Sequence, residues 1–227
     1  MSAALDHLVV AARTLDEGVA WCERTFGVTP GPGGRHALMS THNRVFSIAS
    51  ARFPRAYFEL IAIDPAAPAP QRRRWFDLDT APLQEACEHE PQLVHWVLRC
   101  DDIVARCARL RAAGIERGEV LSAQRDGDAG LLRWRISVRA DGARLFDGAL
   151  PTLIEWEQRH PADTLADSGV TLDSFELAGL PAAARSDLVP PEVHFAPAGP
   201  PLCARLSTPR GPIVLRAPSL GESHVQP

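Results

Sequence analysis

Residues 5 to 11, LDHLVVA, are apolar apart from one aspartate and one histidine, and a run with so little alternation predicts a strand buried on both faces. Thr14 or Asp16 can cap the helix that follows, with Val19, Ala20, Trp21 and Phe26 along one side and Gly27 to stop it. The segment GVTPGPGGRH, residues 27 to 36, reads as a breaker-rich loop. Short strands are predicted near 37–39, 44–49 and 57–63, so the order is β-α-β-β-β. Residues 66 to 92 are a connector whose prolines argue against a continuous regular element, with Arg72, Arg73 and Arg74 in its middle. The pattern then starts again. A strand at 93–100 leads to a helix capped near Asp101 or Asp102, with Ile103, Val104, Leu110 and Ile115 available for its apolar face, and strands at 119–122, 132–138 and 152–157 follow.

The repeat extends to individual residues. His7 and His95 each stand in a Leu-x-His opening, and Glu59 and Glu155 each lie six positions before a proline, Pro65 and Pro161. From about residue 168 a third unit echoes the first two, LDSFELAG beside LDHLVVAA and PIVLRAP beside ELIAIDP, with Ser174 and Pro212 where the histidine and glutamate would stand. Two histidines and two glutamates from duplicated units form a plausible ligand set for one divalent metal. Period two puts Glu59 on the face of Ile61 and Ile63, where an ionised carboxylate needs a metal, an arginine or a substrate as partner. The competing reading is a buried Glu–Arg pair, since the 24 basic residues are all arginine.

Composition narrows the classes. The 227 residues suffice for a sizeable core, and a net charge of −4 leaves no electrostatic footprint for nucleic acid. Without lysine there is no Schiff-base chemistry. No apolar run reaches the roughly 20 residues of a membrane span, and the N-terminus lacks a basic leader, so the expectation is a cytoplasmic protein that does not engage membranes. Five scattered cysteines without a C-x-x-C pair read as reduced thiols. Gly31 to His36 matches neither a P-loop nor a dinucleotide fingerprint. It reads as a turn presenting Arg35 and His36 near a site mouth. Trp96, Trp134 and Trp156 sit on predicted strands, where they could wall a substrate pocket or fill a core. His42 reads as a surface residue and His160 as a turn residue.

LDHLVVAARTLDEG, the GPGGRH turn, THNRVF, YFELIAIDP and LIEW-x3-HP together resemble the glyoxalase-like domain group of the vicinal oxygen chelate superfamily. The resemblance covers residues 5 to 161 well and the tail loosely. It implies an α+β chain of paired βαβββ modules with the glyoxalase/bleomycin-resistance-like fold. The first module would span 1–65, the connector 66–92, the second module 93–161, and a degenerate third module and tail 162–227. It also implies a divalent ion (Zn, Ni, Mn or Fe) held by His7, Glu59, His95 and Glu155, with Glu59 or Glu155 moving the proton of an enediolate-like intermediate. His36 and Asn43 fall where substrate would be touched. The implied activity is that of an isomerase or lyase acting on a small molecule with vicinal oxygens. Metal-free sequestration of a small molecule and an extradiol-type dioxygenase are the alternatives. Dimers are common in the superfamily, although here one chain already supplies both halves of a site.

Overall fold

The computed structural model describes residues 3–126, 130–188 and 190–218. The first module comprises β1 (Ala3–Ala11), α1 (Leu15–Phe26), β2 (Gly31–His36), β3 (Thr41–Ser47) and β4 (Tyr57–Ile63). After α2 (Ala81–His89), the second comprises β5 (Gln92–Cys100), α3 (Ile103–Ala112), β6 (Glu119–Arg125), β7 (Leu132–Val138) and β8 (Thr152–Trp156). Their strands form one eight-stranded sheet in the order β2-β3-β4-β1-β5-β8-β7-β6. In each module the first strand pairs in parallel with the last, and β1 and β5 pair antiparallel at the centre. The fold is therefore the α+β glyoxalase/bleomycin-resistance-like architecture. Among the described residues no helix is long and apolar enough to cross a membrane.

Local chemistry accounts for the helix ends. Thr14 caps α1 by accepting from the Glu17 amide at 3.2 Å, and Gly27 closes it in a left-handed conformation with φ of 74°. Two expectations need correction. GPGGRH is a strand, not a loop, and residues 37–39 are a turn, not a strand. Pairing with β3 overrides the breaker composition. Gly33 is needed there because a Cβ would lie 2.2 Å from the Asn43 carbonyl oxygen. The connector contains the helix α2, which tolerates Pro82 because its first turn requires no intrahelical donor.

Residues 171–216 hold β9 (Thr171–Leu177), α4 (Ala182–Leu188), β10 (Val193–Phe195), β11 (Leu202–Thr208) and β12 (Gly211–Arg216). This unit keeps the modules' element order and departs from their strand order. Its sheet runs β10-β9-β11-β12, so β9 pairs in parallel with the second strand of its unit instead of the fourth. Its residues share one apolar core with α1, α3 and one face of the large sheet. Trp96 belongs to that core: it is fully buried, donates to the Ala149 carbonyl at 3.0 Å and packs edge-on against Phe175. It therefore sits on the wrong face for a substrate pocket, and that expectation is corrected. A second core lies on the opposite, concave face and includes Ile61, Trp75, Phe76, Trp134 and Ile154.

Candidate functional site

The concave face takes its chemistry from an irregularity in β1. Leu5 pairs with Leu98 and His7 with Val97, so Asp6 is the extra residue of a β-bulge. Strict alternation would aim Asp6 and His7 at opposite faces. The bulge instead sets the Asp6 carboxylate beside the His7 ring, with Oδ1 2.7 Å from Nδ1. Asp6 is completely buried, and its Oδ2 accepts from Trp156 Nε1 at 3.1 Å and lies 2.8 Å from His160 Nε2. The Ala162 amide donates to His160 Nδ1, so the His160 proton sits on Nε2 and points at Asp6. His7 stacks on Tyr57 and presents Nε2 to Glu59 Oε2 at 3.5 Å. Asn43 donates to Glu59 Oε1 at 2.5 Å and is itself held through the Gly34 amide. His36 Nε2 stands 3.9 Å from the same carboxylate oxygen.

A polar chain thus runs His160–Asp6–His7–Glu59–Asn43. Its loosest link, between His7 and Glu59, faces a cavity walled by Trp75, Phe76, Trp134 and Trp156. Arg125 completes the lining and donates to the Gly33 carbonyl at 3.2 Å. Burial works against a charged His7, but hydrogen bonds to Asp6 and Glu59 and the two negative charges outweigh it and raise its pKa to about 9. Burial likewise opposes ionised Glu59, and the hydrogen bond and charge of His7 overturn it, leaving the carboxyl at about 2. For His36 the charge of Glu59 does not make up for burial, which lowers it to about 4, and it stays neutral.

The structure brings His7, Glu59, His36, Asn43, Trp134 and Trp156 together, and it separates His95 and Glu155 from them. The reason lies in the register of the pseudo-two-fold. His7 pairs with Val97 and Val9 with His95, so exchanging His7 for His95 maps the central pair onto itself. The β1 bulge recurs at Val94, the counterpart of Asp6. Because Val9 pairs with Glu59 and Val97 with Thr152, the counterpart of Glu59 is Thr152, three residues before Glu155. An odd offset reverses the face. Ile154 and Trp156 point into the cavity, while Glu155 points away. Its Oε2 accepts from the Ile103 amide at the start of α3, and its Oε1 pairs with Arg135 at 2.5 Å.

His95 Nε2 contacts Thr152 Oγ1 and the Thr152 amide, both at 3.0 Å, and lines a neighbouring cavity. Trp75 and Phe76 border both cavities and divide them. Phe76 and Asp77 adopt left-handed φ of 61° and 60°, a strained pair that Arg144 holds by gripping Asp77 at 2.7 Å. The proposed metal quartet therefore does not fit one ion. Two of its members lie elsewhere, and among the described residues no group of three or more His, Cys, Asp or Glu side chains is arranged to hold a metal.

Glu155→Gln should cost about 1 kcal/mol of stability, typical of a weakened helix-end contact and a half-exposed ion pair. Chemistry in the His7 cavity should be unchanged. Thermal denaturation and a turnover assay on this variant check both, and loss of turnover would return Glu155 to the site.

Sequence reasoning missed Asp6, His160, Tyr57, Trp75 and Phe76. The Asp-His dipeptide at 6–7 was visible, but not the bulge that makes it a dyad. His160, read as a turn residue, is buried against Asp6. Part of the arginine run braces the connector, with Arg74 on Asp79 at 2.6 Å and Arg72 on Glu119 at 3.2 Å.

Fold and site together define an α+β protein with one buried His–Glu half-site in a duplicated frame. A glyoxalase-like domain model matches residues 5–189. The chain belongs to this family, the glyoxalase-like domain group of the vicinal oxygen chelate superfamily. No curated protein matches its sequence. Among solved structures, a hypothetical protein from Staphylococcus aureus superposes with a TM-score of 0.55 at 14% identity, covering 96% of this chain and 87% of that one. Methylmalonyl-CoA epimerase from Mycobacterium tuberculosis is more distant, with a TM-score of 0.39, 18% identity, and coverage of 69% and 88%. A variant of the Streptomyces coelicolor epimerase, in complex with 2-nitronate-propionyl-CoA, gives 0.43 at 16% identity, covering 70% and 99%. At these identities the likeness concerns the fold.

Proposed function

We propose that this chain is an enzyme of the isomerase or lyase type that enolises a small carbonyl compound with vicinal oxygens, using Glu59 and His7 as base and acid. The observation that carries this reading is the buried chain Asp6–His7–Glu59–Asn43, whose weakest link opens on an aromatic-walled cavity. A substrate entering between His7 and Glu59 separates them. Glu59 then loses the imidazolium that holds its pKa down and becomes more basic. Its carboxylate takes the proton from the carbon next to the carbonyl, and the C–H electron pair moves into the new C=C bond while the carbonyl π pair moves onto oxygen. His7 Nε2–H gives its proton to that oxygen, which balances the step as a neutral enediol. Asp6 keeps the His7 ring oriented and stabilises its charged form. Asn43 holds Glu59 in place, and neutral His36 adds a polar contact without competing for protons. No step runs through a metal, because the four residues implied as ligands do not share one site.

The alternative, sequestration of an aromatic or apolar small molecule, draws support from the same tryptophan walls. It gives no role to the buried dyad. The test is proton exchange in deuterated water with a panel of α-hydroxy ketones, α-hydroxy aldehydes and thiohemiacetals, followed by NMR. Enzyme-dependent deuterium incorporation at the carbon next to the carbonyl is expected. Saturable binding of a panel member without exchange would favour sequestration and sink the enolisation reading.

A further inference from the structure

The second cavity has the opposite electrical character from the first. Where the first module has Asp6 and Glu59, the second has Val94 and Thr152, so both carboxylates are gone. The lining contains no acidic residue and three arginines, Arg117, Arg139 and Arg144. Arg139 and Arg144 are paired with Asp141 and Asp77. Arg117 differs. It is only 3% exposed, and Asp141, a carboxylate whose charge reaches it, is already paired with Arg139. Its Nε donates to the Pro151 carbonyl at 2.6 Å and its Nη2 to Thr152 Oγ1 at 2.5 Å, both neutral acceptors. A buried charge with no counter-charge of its own is costly, so this position calls for an anion.

Two further donors lie in the same lining. The Thr152 amide can only donate, so His95 Nε2 accepts and the ring proton sits on Nδ1. That Nδ1 is a buried donor without a well-formed hydrogen bond, its contact with the Gly148 backbone falling short of one. Ser137 Oγ accepts from the Leu153 amide at 3.0 Å, which frees its own hydrogen to donate. The cavity volume of about 10 Å³ has room for one water-sized species. We propose that this second half-site binds a single halide-sized anion, chloride at cellular ion composition, with Arg117 as its counter-charge. A neutral water would satisfy hydrogen bonds but leave the guanidinium charge uncompensated. The ion would lock Arg117, Thr152 and His95 into one network behind the Trp75–Phe76 partition.

The full chain is tested by ³⁵Cl NMR linewidth and by thermal melting at fixed ionic strength, exchanging sodium gluconate for sodium chloride. Excess linewidth that bromide displaces is expected, with a melting midpoint that climbs and then saturates with chloride. Arg117→Met should abolish both effects. If that variant fails to fold, Arg117→Lys serves instead: it keeps the charge but loses the fork to Pro151 and Thr152, and should weaken chloride binding about tenfold. The absence of bromide-displaceable broadening in the unmodified protein would overturn the proposal. So would broadening that survives in folded Arg117→Met, or that is unweakened in Arg117→Lys.

Discussion

Replacing Glu59 by glutamine should slow proton exchange at the substrate carbon by roughly 10² to 10⁴, the usual contribution of a positioned general base. The amide preserves side-chain shape but cannot take the proton. His95→Gln provides the contrast. His95 has a histidine's full chemistry, yet it lies behind Trp75 and Phe76 in the other cavity, and its substitution should leave exchange within about twofold. Rates for the two variants, measured on the best member of the substrate panel, decide the matter. Equal losses would mean that both half-sites serve one reaction.

The second large effect is on stability. Asp6→Asn removes the buried charge that His7 and His160 share, and breaking a buried pair on one side costs roughly 3 to 5 kcal/mol. The pH dependence follows from the direction of the shifts. His7 is raised from 6.5 to about 9 in the folded protein, so its contribution is fully present below 6.5 and fades as pH climbs through 9. Asp6 is shifted below its ordinary 3.8, so its contribution is present above that value and fades in acid. The deficit of Asp6→Asn relative to the unmodified chain should therefore be widest between about pH 4 and 6.5 and should narrow toward pH 9. Chemical denaturation across this range reads it directly. A deficit that does not change with pH would mean that Asp6 acts through packing alone.

Most of the frame was legible in the sequence because it rests on signals that local chemistry sets. Thr14 and Gly27 bound α1, Asp102 caps α3, and the apolar strands 57–63 and 132–138 appear with the limits expected. His7 and Glu59 were nameable from the repeat and His36 and Asn43 from the resemblance, and the four line one cavity. Two failures have a common physical origin. Aligning Glu59 with Glu155 by distance to a proline ignored that strand partners are set by hydrogen-bond register, where an offset of three reverses the face. Unbroken alternation would leave Asp6 and His7 on opposite faces, and the bulge that breaks it leaves no mark in the sequence. The GPGGRH strand was missed because Gly33 is there for β3, a long-range partner that leaves no mark on a local window.

The bulge repeated at Asp6 and Val94 makes the second module a ready engineering target. Its backbone already presents the geometry that turns an Asp-His dipeptide into a dyad, and its histidine is in place. Val94→Asp and Thr152→Glu would restore both carboxylates, with Arg117 on hand to offset the added negative charge and Ile136 standing where the first module has Asn43. A chain carrying both changes would hold two like centres across a pseudo-dyad, and comparing them would measure how much reactivity comes from the scaffold and how much from the cavity walls.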